Sequence, residues 1–197
     1  MVLAEKGSKA VVNITAQEKG ETITVVACCN AEGQFLPLVC IFKGKNKKSE
    51  FEDNMPPGSV VYMSQKSAYI NSELFFIWFR DHFVPRKVPG KVVLILDGHG
   101  SHCNSVETLE YAEANDVILL CLPPHTTHYL QPLDRSVFKA LKAAYYQACQ
   151  TWVKSKSNRT ITRLHFGQLL NEAWGKAASV QNAVSGFKST GMNSCKF

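Results

Sequence analysis

Negative charge is what the last third of this sequence lacks. From Arg135 to Phe197 there is one carboxylate, Glu172, against ten lysines and arginines, whereas residues 1–134 carry 15 acidic and 12 basic side chains. A stretch so poor in carboxylates cannot neutralise itself. It fits a polyanion partner, because Lys and Arg displace counterions from a phosphate backbone; a merely solvated basic face is the competing reading. Long apolar runs are missing too: none approaches the ~18 residues of a bilayer-spanning helix, which excludes that class of membrane protein. Residues 1–20 contain no apolar block of signal-peptide length, so an intracellular chain is expected. No Cys-x-x-Cys occurs among the seven cysteines, which gives a zinc ribbon no support. Cys28, Cys40 and Cys121 sit inside apolar runs and are expected as reduced core thiols.

What is present is enough for one domain. At 197 residues and 45% hydrophobic content the chain can bury a proper core. The β-branched run "ETITVVACC" from Glu21, the turn "NAEG" and the apolar "QFLPLVCIF" predict a β-hairpin, with Pro37 at a bulge or edge. The "KGKNKK" segment from Lys43 opens a polar loop, which either contacts phosphate or is a solvated tip. "VVYMSQ" reads as a strand. Asn71 or Ser72 caps a helix over "SELFFIWFRDHFV", in which Leu74, Ile77, Trp78 and Asp81 share helical spacing, and Pro85 stops it.

"KVVLIL" and "VILLCL" read as strands buried on both faces, joined by the amphipathic helix "SVETLEYAEAND" in a parallel, right-handed crossover. Beyond Asp134 the pattern turns helical: Val137, Leu141, Ala144, Ala148 and Trp152 form an apolar stripe, with Lys139 and Lys142 off it. A second helix is predicted at about Leu164 to Ala178. The expected class is α/β: an antiparallel hairpin feeding a mixed sheet flanked by helices.

Ligands of open α/β sheets sit beyond the carboxyl ends of strands, and Asp97 stands at such an end, in "VVLILDGHGSHCN". Asp134 stands at the start of the long helix, where the macrodipole favours an anion. Each has a plainer reading, as a turn cap and an N-cap respectively. If both face one cleft, two carboxylates suit Mg²⁺ or Mn²⁺, and paired ions of this kind cleave or transfer phosphodiesters. That chemistry normally takes three carboxylates, and two are legible here. A rival set is His99 and His102 with His125 and His128, two His-x-x-His pairs that suit a zinc-type metallohydrolase; His128 serves equally as a loop-closing hydrogen-bonding group.

"LDGHGSH" followed by "LPPHTTHYLQPLD" closely resembles the DDE superfamily endonuclease domain of pogo-like transposases and their domesticated Tigger and jerky relatives. The 36 residues between Asp97 and Asp134 agree with that family's spacing. "NAEGQFLPLVCIFKGK" resembles its hairpin, and "AVSGFKSTGMN" resembles its closing helix and tail.

The resemblance implies a ribonuclease-H-like domain over residues 1–197, with 135–197 as its basic helical C-terminal part. It makes Asp97 the second acidic ligand and Asp134 the third, for Mg²⁺ or Mn²⁺. His99, His102, His128 and Gln131 would support those ligands or shape their loops. Arg135, Lys139, Lys142, Lys154, Lys156, Arg159 and Arg163 would meet DNA, and the location would be nuclear.

In the family the first acidic residue lies in an Asp-Glu-Thr-Gly-like stretch just before the segment matching "VLAEKGSKAVV". Met1 leaves no room for it. The expectation is therefore an N-terminally incomplete domain without the first catalytic strand and the upstream helix-turn-helix region. Such a chain would bind nucleic acid but be crippled in cleavage. Glu5, Glu18 and Glu21 are the nearest substitutes for the first ligand. Gly98, where many relatives have Asn, weakens a supporting hydrogen bond. A non-catalytic DNA-binding or interaction module and a His/Asp metallohydrolase are the alternatives.

Overall fold

The computed structural model describes residues 11–16, 21–97, 105–155 and 160–192. The predicted hairpin forms: β2 (Glu21–Val26) runs antiparallel to β3 (Val39–Lys43), with Val25 opposite Cys40 and Val26 opposite Val39. Its turn is built by Asn30, whose side-chain oxygen accepts from the backbone N–H groups of Glu32 and Gln34, and by Gly33 at a φ of 91°. β1 (Val11–Ala16) pairs antiparallel with the outer edge of β2, from Val11 opposite Val26 to Ala16 opposite Glu21. β4 (Val60–Ser64) lies parallel to β3, which completes a four-stranded sheet in the order β1, β2, β3, β4. Pro37 precedes β3 rather than interrupting it, so its missing N–H costs no ladder bond.

Strand alternation divides this sheet between two cores. Cys40 and Phe42 of β3 point to one face, where Phe42 meets Phe51 and Phe166 at ring separations of 5.2 and 5.6 Å. Burying such a ring stabilises by about 1.5–3 kcal/mol. Val39 and Ile41 point to the other face, against Phe75, Trp78 and Phe79. Those aromatics come from α1 (Ser72–Trp78), capped by Asn71 Oδ1 accepting from Leu74 N at 2.8 Å, and from the residue that follows it. α1 widens into a π-helical turn at Phe79–Phe83 and ends in a 3-10 turn at Val84–Arg86 that contains Pro85.

The crossover is also as expected. β5 (Val92–Leu96), α2 (Val106–Ala114, capped by Ser105) and β6 (Val117–Cys121) make a parallel unit with Leu94 opposite Leu119 and Leu96 opposite Cys121. Two expectations fail here. The strands are not buried on both faces: Leu94, Leu96 and Val117 pack against α1, whereas Val93, Ile118 and Leu120 are 55%, 48% and 46% exposed. The reason is that β5 and β6 form a separate two-stranded sheet, covered on one side, and not a continuation of the larger one. Cys121 is also not a reduced thiol but disulfide-bonded, while Cys28, Cys29, Cys40 and Cys149 are free.

After β6 come two single-turn helices, α3 (Thr127–Leu130) and α4 (Pro132–Arg135), then α5 (Val137–Ser155), α6 (Arg163–Ala177) and α7 (Val180–Ser189). The predicted stripe of α5 faces inward through Val137, Leu141 and Ala148, joined by Phe138 and Tyr145, with Ala144 and Trp152 at its margin. α6 packs beside it through Phe166, Leu169, Leu170 and Ala173, and the two cover the Phe42 face of the sheet. The result is a layered mixed α/β arrangement.

Candidate functional site

Asp97 is reached by the straight run of β5. Leu122 N donates to Leu96 O at 2.8 Å, which extends the β5–β6 ladder to the residue before the aspartate. Asp97 itself is 1% exposed. A carboxylate held that deep at a strand end needs compensating charge or hydrogen bonds, so its placement is demanding rather than incidental.

Asp134 is placed differently from the expectation. The "LPPHTTHYLQPLD" segment turns through α3, where Leu130 N and Gln131 N donate to Thr126 O and Thr127 O. It extends at Gln131 (ψ 115°) and re-enters a helix with Pro132 in the first turn, where a missing N–H is harmless. Asp134 thus belongs to the four-residue α4. Ser136, at φ −135° and ψ −65°, breaks the chain before α5 begins at Val137, so Asp134 is not at the N-terminus of the long helix. The break is held: Ser136 Oγ lies 2.7 Å from the acceptor Asn182 O in α7 and 3.3 Å from Pro132 O.

The neighbours of both aspartates line one cavity of about 360 Å³: Leu96 from β5, and Gln131, Pro132 and Leu133 from the approach to Asp134. Gln131 is 3% exposed, and its Oε1 accepts no hydrogen bond among the described residues. Two hard oxygen donors suit Mg²⁺ or Mn²⁺ in kind. In number they fall short, for among the described residues no group of three His, Cys, Asp or Glu side chains could hold a metal ion. No catalytic step through a metal is therefore derived.

The histidine alternative finds no support among the described residues. His125 is exposed in the left-handed region at φ 64°, where a short turn and not a ligand geometry explains it. His128 is exposed too, its ring 4.1 Å from that of Tyr129. His99, His102 and Gly98 lie outside the described residues, as do Glu5 and Glu18 and the side chain of Glu21. The free thiols do not replace them: burial pushes Cys28, with help from Cys29, up to about 12, and Cys29 likewise, so neither is a ready thiolate.

Of the basic residues, Arg135, Lys139, Lys142 and Lys154 are exposed. Arg163 is half-buried with its guanidinium 5.9 Å from the centre of the Phe51 ring, so packing claims part of it. Lys156 and Arg159 fall outside the described residues. Sequence reasoning missed Arg86 and Lys87, which border the cavity, and Trp78, which lines it. Only the approach of β2 to β5 brings them there, and no local pattern signals it.

A family model described as DDE superfamily endonuclease matches residues 20–187. The chain is 30% identical over 181 residues to a Cochliobolus lunatus protein named MFS-type transporter clz9, covering 89% of this chain and 19% of that protein. It is 29% identical over 140 residues to human Tigger transposable element-derived protein 7, covering 64% and 25%. It is 26% identical over 132 residues to mouse Jerky protein, covering 61% and 22%. The chain thus spans a quarter or less of each of these relatives. No described helix is long and apolar enough to cross a membrane.

Proposed function

The chain belongs to the DDE superfamily endonucleases, on the pogo-like, transposase-derived branch with Tigger and Jerky proteins, and on that premise we propose that it is a ribonuclease-H-like, DNA-associated domain that does not cleave DNA by itself. Asp97 and Asp134 are its two acidic ligands, and Mg²⁺ or Mn²⁺ is the ion they fit. Arg135, Lys139, Lys142 and Lys154 form the DNA-facing surface, and the nucleus is the compartment where it meets that partner. Residues 1–197 act as one nuclease-fold domain, with 135–197 as its basic helical part.

The observation that carries this reading is the common cavity. Leu96 and Leu133, the residues just before the two aspartates, line the same space although they belong to different elements. Deep burial of Asp97 supports a group selected for its position and not for solubility. The inactive state rests on the ligand count among the described residues, since a two-carboxylate set supplies less metal affinity and less stabilisation of the reacting phosphate than three.

Two measurements test it together. Plasmid is incubated with the purified chain and Mg²⁺ or Mn²⁺, and Mn²⁺ is titrated calorimetrically into wild type, Asp97→Ala and Asp134→Ala. The expected results are no nicking, weak Mn²⁺ binding lost in both variants, and salt-sensitive DNA binding that survives in both. Nicking abolished by Asp97→Ala would overturn the inactive state. DNA binding lost along with either aspartate would overturn the separation of the basic surface from the acidic site.

A further inference from the structure

We propose that the outer face of α2 docks antiparallel on the outer face of α5 in a second copy of this chain. In α2, Thr108 and Ala112 are buried, and Val106, Leu109, Glu110 and Glu113 form the opposite, exposed stripe at the three-and-four spacing of one helix face. Val106 is 67% and Leu109 47% exposed, so half of that stripe is bare apolar surface. In α5 the inward stripe of Val137, Leu141 and Ala148 leaves Lys139, Lys142, Ala143 and Tyr146 outside, with Tyr146 56% exposed.

The two stripes match when one helix is reversed. From Glu113 back to Glu110 and Val106 the steps are three and four residues, and from Lys139 on to Lys142 and Tyr146 they are the same. Side by side in opposite directions, Glu113 meets Lys139, Glu110 meets Lys142, Leu109 meets Ala143 and Val106 meets Tyr146. Because both helices rise by about 1.5 Å per residue, these pairs stay in step along the whole stripe. Each charge then faces its opposite, and each apolar side chain faces an apolar one.

The distribution of charge selects a second copy as the occupant. Residues 92–134 contain no lysine or arginine, and residues 135–197 contain one carboxylate, so each block carries what the other lacks. None of Glu110, Glu113, Lys139 and Lys142 joins an ion pair among the described residues, whereas Glu107, off the stripe, already lies in the field of Arg80. Exposed ion pairs are weak singly, so the association is modest and sensitive to salt. A copy docked on α5 covers Lys139 and Lys142, and on this helix self-association and polyanion binding exclude each other. The contact itself needs neither metal nor DNA, so its failure and that of the nuclease reading are distinguishable.

The test is sedimentation equilibrium of the full chain in EDTA, without DNA, at low and at high salt. Wild type should associate with rising concentration at low salt and become monomeric as salt rises. Glu110→Lys and Lys142→Glu should each weaken association about tenfold or more, a loss of roughly 1.4 kcal/mol. Both side chains are exposed, so thermal melting should not change. An equimolar mixture of the two variants should regain the wild-type affinity, since each offers the other a face of opposite sign. Glu113→Lys with Lys139→Glu repeats the exchange one turn along and keeps the test intact if a first variant folds poorly. Tyr146→Ser should weaken association while keeping its salt dependence. A wild-type chain that stays monomeric at low salt overturns the proposal. Association untouched by the single variants overturns it too, by placing the contact between copies elsewhere, and so does a mixture of variants that stays dissociated.

Discussion

Gly186 in α7 lies directly against the carbonyl of Pro132, two residues before Asp134. A β-carbon at position 186 would collide with that oxygen and come within 2.6 Å of Ser136 Oγ. The closing helix and the single turn that carries Asp134 are therefore packed backbone to backbone, and residue 186 has no room for a side chain.

Gly186→Ala should push α4 away and cost about 1–3 kcal/mol, the usual range for overpacking a tight site. Helix propensity alone would favour alanine, so the sign of the change is diagnostic. Urea denaturation reads it, and a midpoint at or above wild type would show that the two backbones separate freely.

His82 couples the fold to pH. It is 2% exposed, and its Nε2 donates to Pro37 O at 2.7 Å, which joins the π-helical turn to the entry of β3. Burial lowers its pKa below the ordinary 6.5, the Pro37 bond opposes that, and the charge of Arg86 lowers it further. The unfolded chain therefore binds this proton more readily than the folded one. Stability is fully present above about 6.5 and is lost as pH falls through the folded-state value, with a slope of at most ~1.4 kcal/mol per unit for one proton. His82→Gln should flatten the profile in that window; an unchanged slope would assign the pH dependence elsewhere.

Glu52 ties the polar loop to β4. Its Oε1 accepts from Val61 N at 2.8 Å and from Lys47 Nζ at 2.7 Å. Burial works to raise its pKa, but the Lys47 hydrogen bond, the Val61 N–H and the Lys47 charge outweigh it and hold the carboxyl below 4.5. Its contribution is present above about 4.5 and lost as pH falls. Glu52→Ala should cost about 1–2 kcal/mol at neutral pH, because it strips Val61 N–H of its acceptor, and Lys47→Ala less than about 1, as expected of an exposed pair. Equal losses in thermal melts would mean that the ion pair, and not the backbone bond, dominates.

The exposed cations of α5 should act on DNA and not on the fold. Replacing Lys139 and Lys142 with Ala should reduce the slope of log K against log salt by about 0.9 for each phosphate that is no longer neutralised, with melting unchanged. Arg163→Ala should differ by lowering stability as well, since its guanidinium lies on Phe51. Salt titrations that leave the slope intact in the double variant would move the DNA surface off this helix.

Local elements are legible in the sequence because their determinants are local. Asn71 caps α1 through its own side chain, Asn30 and Gly33 build the hairpin turn, and the three-and-four spacing of Val137, Leu141 and Ala148 suffices to orient α5. The Asp97 position is legible for the same reason, as the first residue beyond a β-branched run.

Tertiary structure decided the rest. Nothing in "QPLDRSVF" forbids a continuous helix, so the sequence pattern puts Asp134 on the long one; the break at Ser136 comes from Asn182, 46 residues away. The runs "VVLIL" and "VILLC" read as strands buried twice over, but burial depends on what packs outside them, and their second face is bare. The cavity that Val26, Leu94 and Gln131 line together follows from how distant segments pack, a relation that no window of sequence contains. Hydrogen-bonding caps and periodic burial act within a few residues, so the sequence alone determined the elements and both aspartates. Which faces are covered and which polar groups are buried is settled by long-range packing, and only the assembled fold decided it.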